Sequence, residues 1–162
     1  MILDRQRTVR IALRPLELFL SRVRGALGLR KMDATICFVS DAEIARMNEG
    51  FRGKRGPTDV LSFPAVQRRR PVRLRESARG KKRAVRGGKG RKRHRTLQDL
   101  GDIAIAPATA RRNARREGRT LRNELRILIL HGVLHLLGYD HETDRGQMNR
   151  LEQRLRRRLG LA

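Results

Sequence analysis

The stretch LRNELRILILHGVLHLLGYDH, residues 121–141, determines how this chain folds. Thr120 precedes it as a predicted N-cap, and from Ile127 onward the predicted helix, residues 121–137, is apolar on nearly every side. A helix of that kind lies at the centre of a fold, because every face of it has to be covered by other elements. Polar side chains on it are then held in a fixed and partly dry environment.

Three histidines in this stretch are spaced as the ligands of one metal ion. His131 and His135 are four residues apart, so they lie on one face of the helix about 6 Å from each other. Gly138 ends the helix, since glycine adopts left-handed backbone angles freely, and the turned chain brings His141 toward the same ion. Three imidazoles leave one tetrahedral position open, which is typical of a catalytic zinc. We therefore predict one zinc ion bound by His131, His135 and His141.

The same spacing occurs in metzincin peptidases, His-Glu-x-x-His-x-x-Gly-x-x-His, with one difference. Gly132 occupies the place of the glutamate that acts as general base in those enzymes. The metal-binding pattern is present, and the peptidase base is absent.

Composition limits the partners and the compartment. The formal net charge of +24 in 162 residues attracts polyanions, so nucleic acid or an anionic surface is the expected partner. The single cysteine, Cys37, has no disulfide partner within the chain and lies in an apolar run that predicts a buried strand. No apolar run reaches the roughly 20 residues of a membrane span, so we expect a cytoplasmic protein without a membrane partner.

The remaining pattern predicts an α+β fold, a small mixed β-sheet packed with helices, metalloprotease-like, whose central helix carries the zinc histidines. Ser40 and Glu43 form a capping box that opens one of the helices. The predicted strands cover residues 8–13, 34–39, 58–63 and 102–106, and the other helices cover residues 15–27, 40–50, 107–118 and 145–159.

Residues 65–98 interrupt this pattern. They include fifteen Lys or Arg residues, one acidic residue, Glu76, and no aromatic residue. We expect a disordered basic insertion within a single domain spanning residues 1–162. Two interpretations stay open, a passive insertion and an electrostatic tether that neutralises phosphates without reading sequence.

Three segments in this order resemble the YbeY family of bacterial endoribonucleases. They are NEGFRGKRGPTDVLSFP at 48–64, LGDIAI at 100–105 and the histidine segment continued to Asp144. The resemblance covers the chain apart from the basic insertion. It implies a zinc-dependent endoribonuclease specific for single-stranded RNA, acting with ribosomal subunits in ribosomal RNA processing, including 16S rRNA 3′-end maturation, and in ribosome quality control.

The resemblance also implies that His131, His135 and His141 bind zinc and that Arg52 is a catalytic residue near the metal. A guanidinium suits that role, because it can contact a phosphodiester oxygen through two hydrogen bonds as negative charge builds up. Asp102 and Asp140 are candidates to orient a histidine through its second ring nitrogen.

Two alternatives remain open at this point. One is a metal-dependent peptidase or other hydrolase, which the histidine spacing favours and which Gly132 and the basic charge disfavour. The other is a non-catalytic ribosome-assembly factor that contains zinc. The residues do not identify the general base or the nucleophile.

Overall fold

The computed structural model describes residues 1–29, 31–66, 98–140 and 144–161. The elements in chain order are β1 (Ile2–Asp4), α1 (Leu13–Ala26), β2 (Met32–Phe38), α2 (Asp41–Arg52), β3 (Val60–Pro64), β4 (Gln98–Ile105), α3 (Pro107–Arg116), α4 (Leu121–Leu136) and α5 (Gln147–Leu159).

The four strands form one mixed sheet in the order β1-β2-β4-β3. β1 pairs with β2 and β2 pairs with β4 in parallel, whereas β3 pairs with β4 antiparallel. β3 is therefore an edge strand, and within the described residues its outer side carries no partner strand. Ser62 connects β3 to α4 through a hydrogen bond from its Oγ to the carbonyl oxygen of Gly132 at 3.4 Å.

Alternating side chains of the central strands divide the core between the two faces of the sheet. Ile36 and Phe38 of β2, with Ile103 and Ile105 of β4, are fully buried in the main core against α1, α4 and α5. The other face is covered by α2 and has a smaller cluster, formed by Val39, Ile44, Leu61, Ala104 and Ala106 with Cys37, Met47 and Phe63 partly buried beside them. The central helix has the buried position that its sequence predicts, and the α+β prediction is confirmed.

One predicted strand is wrong. Residues 8–13 form a loop followed by the start of α1, and the first strand lies at Ile2–Asp4. The buried side chain of Gln6 explains the loop: its Oε1 accepts hydrogen bonds from the amides of Thr8 and Val9, each at 2.9 Å, and its Nε2 donates to the carbonyl of Val9 at 2.8 Å. These bonds satisfy backbone groups that a strand would have paired with a neighbour.

The ends of the basic insertion join adjacent antiparallel strands. The amide of Ala65 donates to the carbonyl of Leu100 at 3.0 Å, and Gln98 is the first residue of β4, so these two end residues of the predicted insertion are held at the sheet. Residues 67–97, on which the prediction of disorder falls, lie outside the described residues.

Two further sequence predictions concern single features. Cys37 lies in β2 and is partly buried, and this burial raises the pKa of its thiol. In the described part of the chain, no helix combines the length and the hydropathy that crossing a membrane requires.

Candidate metal centre

His131 and His135 converge on one point beside α4. The hydroxyl of Thr120 caps this helix by accepting from the amide of Asn123 at 3.2 Å, as the sequence predicts. The Nε2 atoms of the two histidines are 3.1 Å apart, and their rings meet at 72°. Two nitrogen ligands on a tetrahedral zinc, with bonds of roughly 2.0–2.1 Å, are separated by about 3.3 Å. The two imidazoles therefore have a separation that fits a shared zinc ion.

Glu152 of α5 orients the first histidine. Its Oε2 lies 3.0 Å from Nδ1 of His131, and its Oε1 accepts from Nε of Arg156 at 3.0 Å. Burial alone would raise the pKa of Glu152, but the hydrogen bond to His131 and the hydrogen bond and positive charge of Arg156 outweigh it and hold that pKa below its ordinary value. An ionised carboxylate at this place keeps the proton of His131 on Nδ1, which leaves the lone pair of Nε2 for a metal.

The sequence reasoning missed Glu152, although the sequence contains a signal for it. Glu152 lies four residues after Met148 and next to Leu151, so it belongs to the apolar face of α5. A charged residue on such a face is buried only when it has a partner. The two aspartates named instead have different positions: Asp102 is exposed on β4, and Asp140 follows the end of α4. For His131 the carboxylate partner is Glu152, and a role of Asp102 or Asp140 in orienting a histidine stays a prediction.

The predicted turn after α4 is present. Gly138 has a φ of 88°, its amide donates to the carbonyl of His135 at 2.9 Å, and the amide of Tyr139 donates to the carbonyl of Leu134 at 3.1 Å. His141 lies outside the described residues. No group of three metal-binding side chains converges in the parts that the structure describes. The assignment of His141 remains a prediction.

Gly132 lies where the helix presses against the sheet. A Cβ atom on this residue would be 2.8 Å from Cγ2 and 2.9 Å from Cδ1 of Ile103 in β4, closer than such atoms approach in proteins. The position that carries glutamate in metzincins therefore admits a side chain here only if Ile103, the helix or the sheet shifts.

Arg52 is the last residue of α2 and is exposed. Gly53 ends the helix in the left-handed conformation with a φ of 64°. The loop that follows is held by Asn48, a buried side chain whose Nδ2 donates to the carbonyl of Gly56 at 3.0 Å. These contacts place Arg52 at the end of a well-anchored helix; its catalytic role stays a prediction.

The chain is similar to known proteins over nearly its full length. A family model described as Endoribonuclease YbeY matches residues 4–160. A protein named Endoribonuclease YbeY from Koribacter versatilis is 39% identical over 161 residues, which cover 99% of this chain and 86% of that protein. Another protein of the same name, from Solibacter usitatus, is 46% identical over 121 residues. That match covers 75% of this chain and 62% of the Solibacter protein, less than two thirds of its length.

A solved structure has the same fold. The solution structure of a protein from Thermotoga maritima matches with a TM-score of 0.57 at 24% identity, covering 98% of this chain and 89% of that chain.

Proposed function

The chain belongs to the YbeY family of endoribonucleases, and from that premise we propose that it is a zinc-dependent endoribonuclease that cleaves single-stranded RNA. The setting that we propose is the cytoplasm, where it would act with ribosomal subunits in ribosomal RNA processing, including 16S rRNA 3′-end maturation, and in ribosome quality control. The observation that carries the metal dependence is the meeting of His131 and His135, with Nε2 atoms 3.1 Å apart and Glu152 on Nδ1 of His131.

Each residue of the proposed site has a separate role. Glu152 holds the Nδ1 proton of His131 and so directs Nε2 toward the ion. His135 and, by our proposal, His141 complete the set of protein ligands. A bound zinc ion supplies Lewis-acid chemistry, which polarises a phosphoryl oxygen or activates water near neutral pH. Arg52 binds a phosphodiester oxygen through its planar guanidinium and stabilises the charge that develops during cleavage.

Two features support RNA rather than peptide as the substrate. The net charge of +24 concentrates polyanions around the protein and gives no advantage with a basic peptide. In addition, the general base of a zincin peptidase has no counterpart at Gly132, and a side chain at this position would collide with Ile103 as it is placed here.

The test compares two substrates. Purified zinc-loaded protein is incubated with single-stranded RNA and, separately, with casein, and we expect cleavage of RNA alone. Cleavage of casein alone would favour a peptidase, and RNA binding without cleavage would favour a non-catalytic assembly factor. His135→Ala should lose both zinc and RNA cleavage, because the remaining imidazoles cannot hold the ion in this geometry.

Arg52→Ala provides the test of the arginine. It should keep its zinc content and its melting temperature and lose RNA cleavage, and Arg52→Lys should recover little, because a point charge lacks the fork geometry. Arg46→Ala is the matched control, since Arg46 is an exposed arginine of the same helix. Equal cleavage by the Arg52 and Arg46 variants would show that Arg52 has no special role.

A further inference from the structure

Phe51 is an aromatic residue that the fold leaves uncovered. The chain has four phenylalanines, one tyrosine and no tryptophan. Phe19 is 1% exposed and Phe38 is fully buried, whereas Phe51 is 58% exposed. A side chain of this size gains from burial, and aromatic residues on a surface mark contact sites more often than aliphatic ones do.

The position of Phe51 follows from the helix that carries it. Ile44, Met47 and Phe51 are spaced three and then four residues apart, so they share the face of α2 that is turned to the sheet. Ile44 is fully buried, whereas Phe51, in the last turn of α2, is mostly exposed, and its ring meets Phe63 of β3 at 4.7 Å between centroids and 60° between planes. An edge-to-face contact fixes the ring and leaves a broad part of it in solvent.

Cationic residues follow Phe51 in the chain. Arg52 follows directly, and Lys54 and Arg55 are exposed in the next turn of the chain. The amide of Lys54 donates to the carbonyl of Asn48 at 3.4 Å, which keeps the turn close to the helix end. Two carboxylates accompany these cations. Glu49 lies 3.6 Å from Arg55, and both side chains are well exposed, so the pair neutralises little. The register of β3 and β4 places the exposed Asp102 opposite Phe63 on the same face of the sheet. Arg52, Lys54 and Arg55 outnumber the two carboxylates, so the surface next to Phe51 keeps a net positive charge.

This aromatic pair lies across the edge strand from the histidines. Ser62 contacts Gly132, which is adjacent to His131, while Phe63 points to the opposite face of the sheet because neighbouring strand residues alternate. β3 thus separates α4, which carries the histidines, from the aromatic pair. A ligand that contacts both faces of the sheet on this side has to cross the edge of β3, because β3 is the outermost strand.

We propose that Phe51, supported by Phe63, is a stacking site for one unpaired nucleobase of RNA bound across the edge of β3. This inference rests on the proposed function, which supplies the RNA. Exposed aromatic rings between cations are the arrangement with which proteins bind single strands, since every base has a face to stack and every phosphate has a charge to neutralise. A duplex cannot use the site, because its bases are already stacked and paired. An uncharged apolar partner would gain nothing from the neighbouring cations.

The test uses the lack of tryptophan in the chain. In Phe51→Trp the new indole is the sole one, so its fluorescence reports on this site alone. The probe is a single-stranded 2′-O-methyl oligoadenylate of about ten nucleotides, a length within the usual site size. We expect it to quench the fluorescence, and we expect an abasic oligomer with the same number of phosphates to leave it nearly unchanged. Leu18→Trp is the matched control, because Leu18 is 55% exposed on α1, away from β3.

Affinity gives the second measurement. Phe51→Leu should weaken binding of the oligoadenylate about 5- to 100-fold, the range expected when one base stack is removed, and should bind the abasic oligomer as the wild type does. Thermal unfolding checks that Phe51→Leu is folded; if it is not, the tryptophan variant still decides. Equal quenching by both oligomers, equal quenching at Leu18→Trp, or unchanged affinity in a folded Phe51→Leu would overturn the stacking site.

These readings depend on binding and not on cleavage. Quenching at Phe51→Trp in a protein that cuts no RNA would retain the stacking site and refute the proposed nuclease. Normal RNA cleavage without quenching at Phe51→Trp would support the proposed nuclease and refute the stacking site.

Discussion

Replacement of Glu152 by glutamine tests the contact between Glu152 and His131 in the candidate metal centre. The change keeps the size of the side chain but removes the negative charge that lies 3.0 Å from Nδ1 of His131. An amide also presents an N–H group, which can favour the wrong tautomer of the imidazole. Loss of such a carboxylate partner typically weakens metal binding about 10- to 100-fold, which corresponds to about 1.4–2.7 kcal/mol. We expect a loss of zinc affinity within this range.

The chain offers a matched control in Glu124→Gln. Glu124 is 5% exposed and Glu152 is 7% exposed. Each accepts from an arginine at 3.0 Å, Glu124 from Arg119 and Glu152 from Arg156, but Glu152 alone of the two contacts a histidine in the described structure. Both variants should therefore lose a similar amount of stability, about 1–3 kcal/mol, and differ in zinc affinity.

The assay is a competition between each metal-free protein and a chromophoric chelator for zinc. Thermal unfolding with and without zinc supplies a second measure, because an ion that binds the folded state raises the melting temperature, and more so the tighter it binds. The zinc-induced rise should be smaller in Glu152→Gln than in Glu124→Gln. If the two folded variants bind zinc equally well, the carboxylate does not orient the ligand and our reasoning about the site is wrong.

Three further predictions concern other parts of the chain. Gly132→Ala should lower the free energy of unfolding by about 1–3 kcal/mol, because the added Cβ would lie 2.8 Å from Ile103, and urea unfolding at full stability would contradict this tight contact. Asp41 accepts hydrogen bonds from Arg112 at 2.8 Å and Thr109 at 2.9 Å, which outweigh the effect of burial and lower the pKa of its carboxyl. The ionised form of Asp41 therefore contributes stability that is complete above the ordinary aspartate pKa of about 3.9 and is lost as pH falls through the lower pKa of the folded state. The melting temperature of Asp41→Asn should therefore fall less steeply in acid than that of the wild type. Parallel curves of melting temperature against pH would argue against the contacts of Asp41 with Arg112 and Thr109. Deleting residues 68–95 should preserve zinc binding, since the remaining ends join strands that already pair through Pro64 and Gly101. In the same deletion variant, the slope of log affinity for single-stranded RNA against log salt should become shallower by about 0.7 for each phosphate that the protein no longer neutralises, and an unchanged slope would mean a passive insertion.

The sequence determined the central helix and its turn. The residues 127–137 are apolar on nearly every side, and only a buried helix satisfies that pattern, so the position of α4 and the end at Gly138 were predictable within one residue. The i, i+4 spacing likewise determined that His131 and His135 meet, because helix geometry alone brings them together. At residues 8–13 the prediction of a strand was wrong because of local hydrogen bonds. The side chain of Gln6 accepts from backbone amides that a strand would have paired with a neighbouring strand.

Only the tertiary structure decided which groups from distant parts of the chain approach this helix. Glu152 is 21 residues from His131 in sequence, and a short-range pattern contains no information on how α5 packs against α4. The contact of Gly132 with Ile103 depends on the spacing between helix and sheet, and the meeting of Phe51 with Phe63 depends on β3 being the edge strand. The pairing order β1-β2-β4-β3 sets these distances, and pairing order arises from the packing of the whole core and not from any one segment.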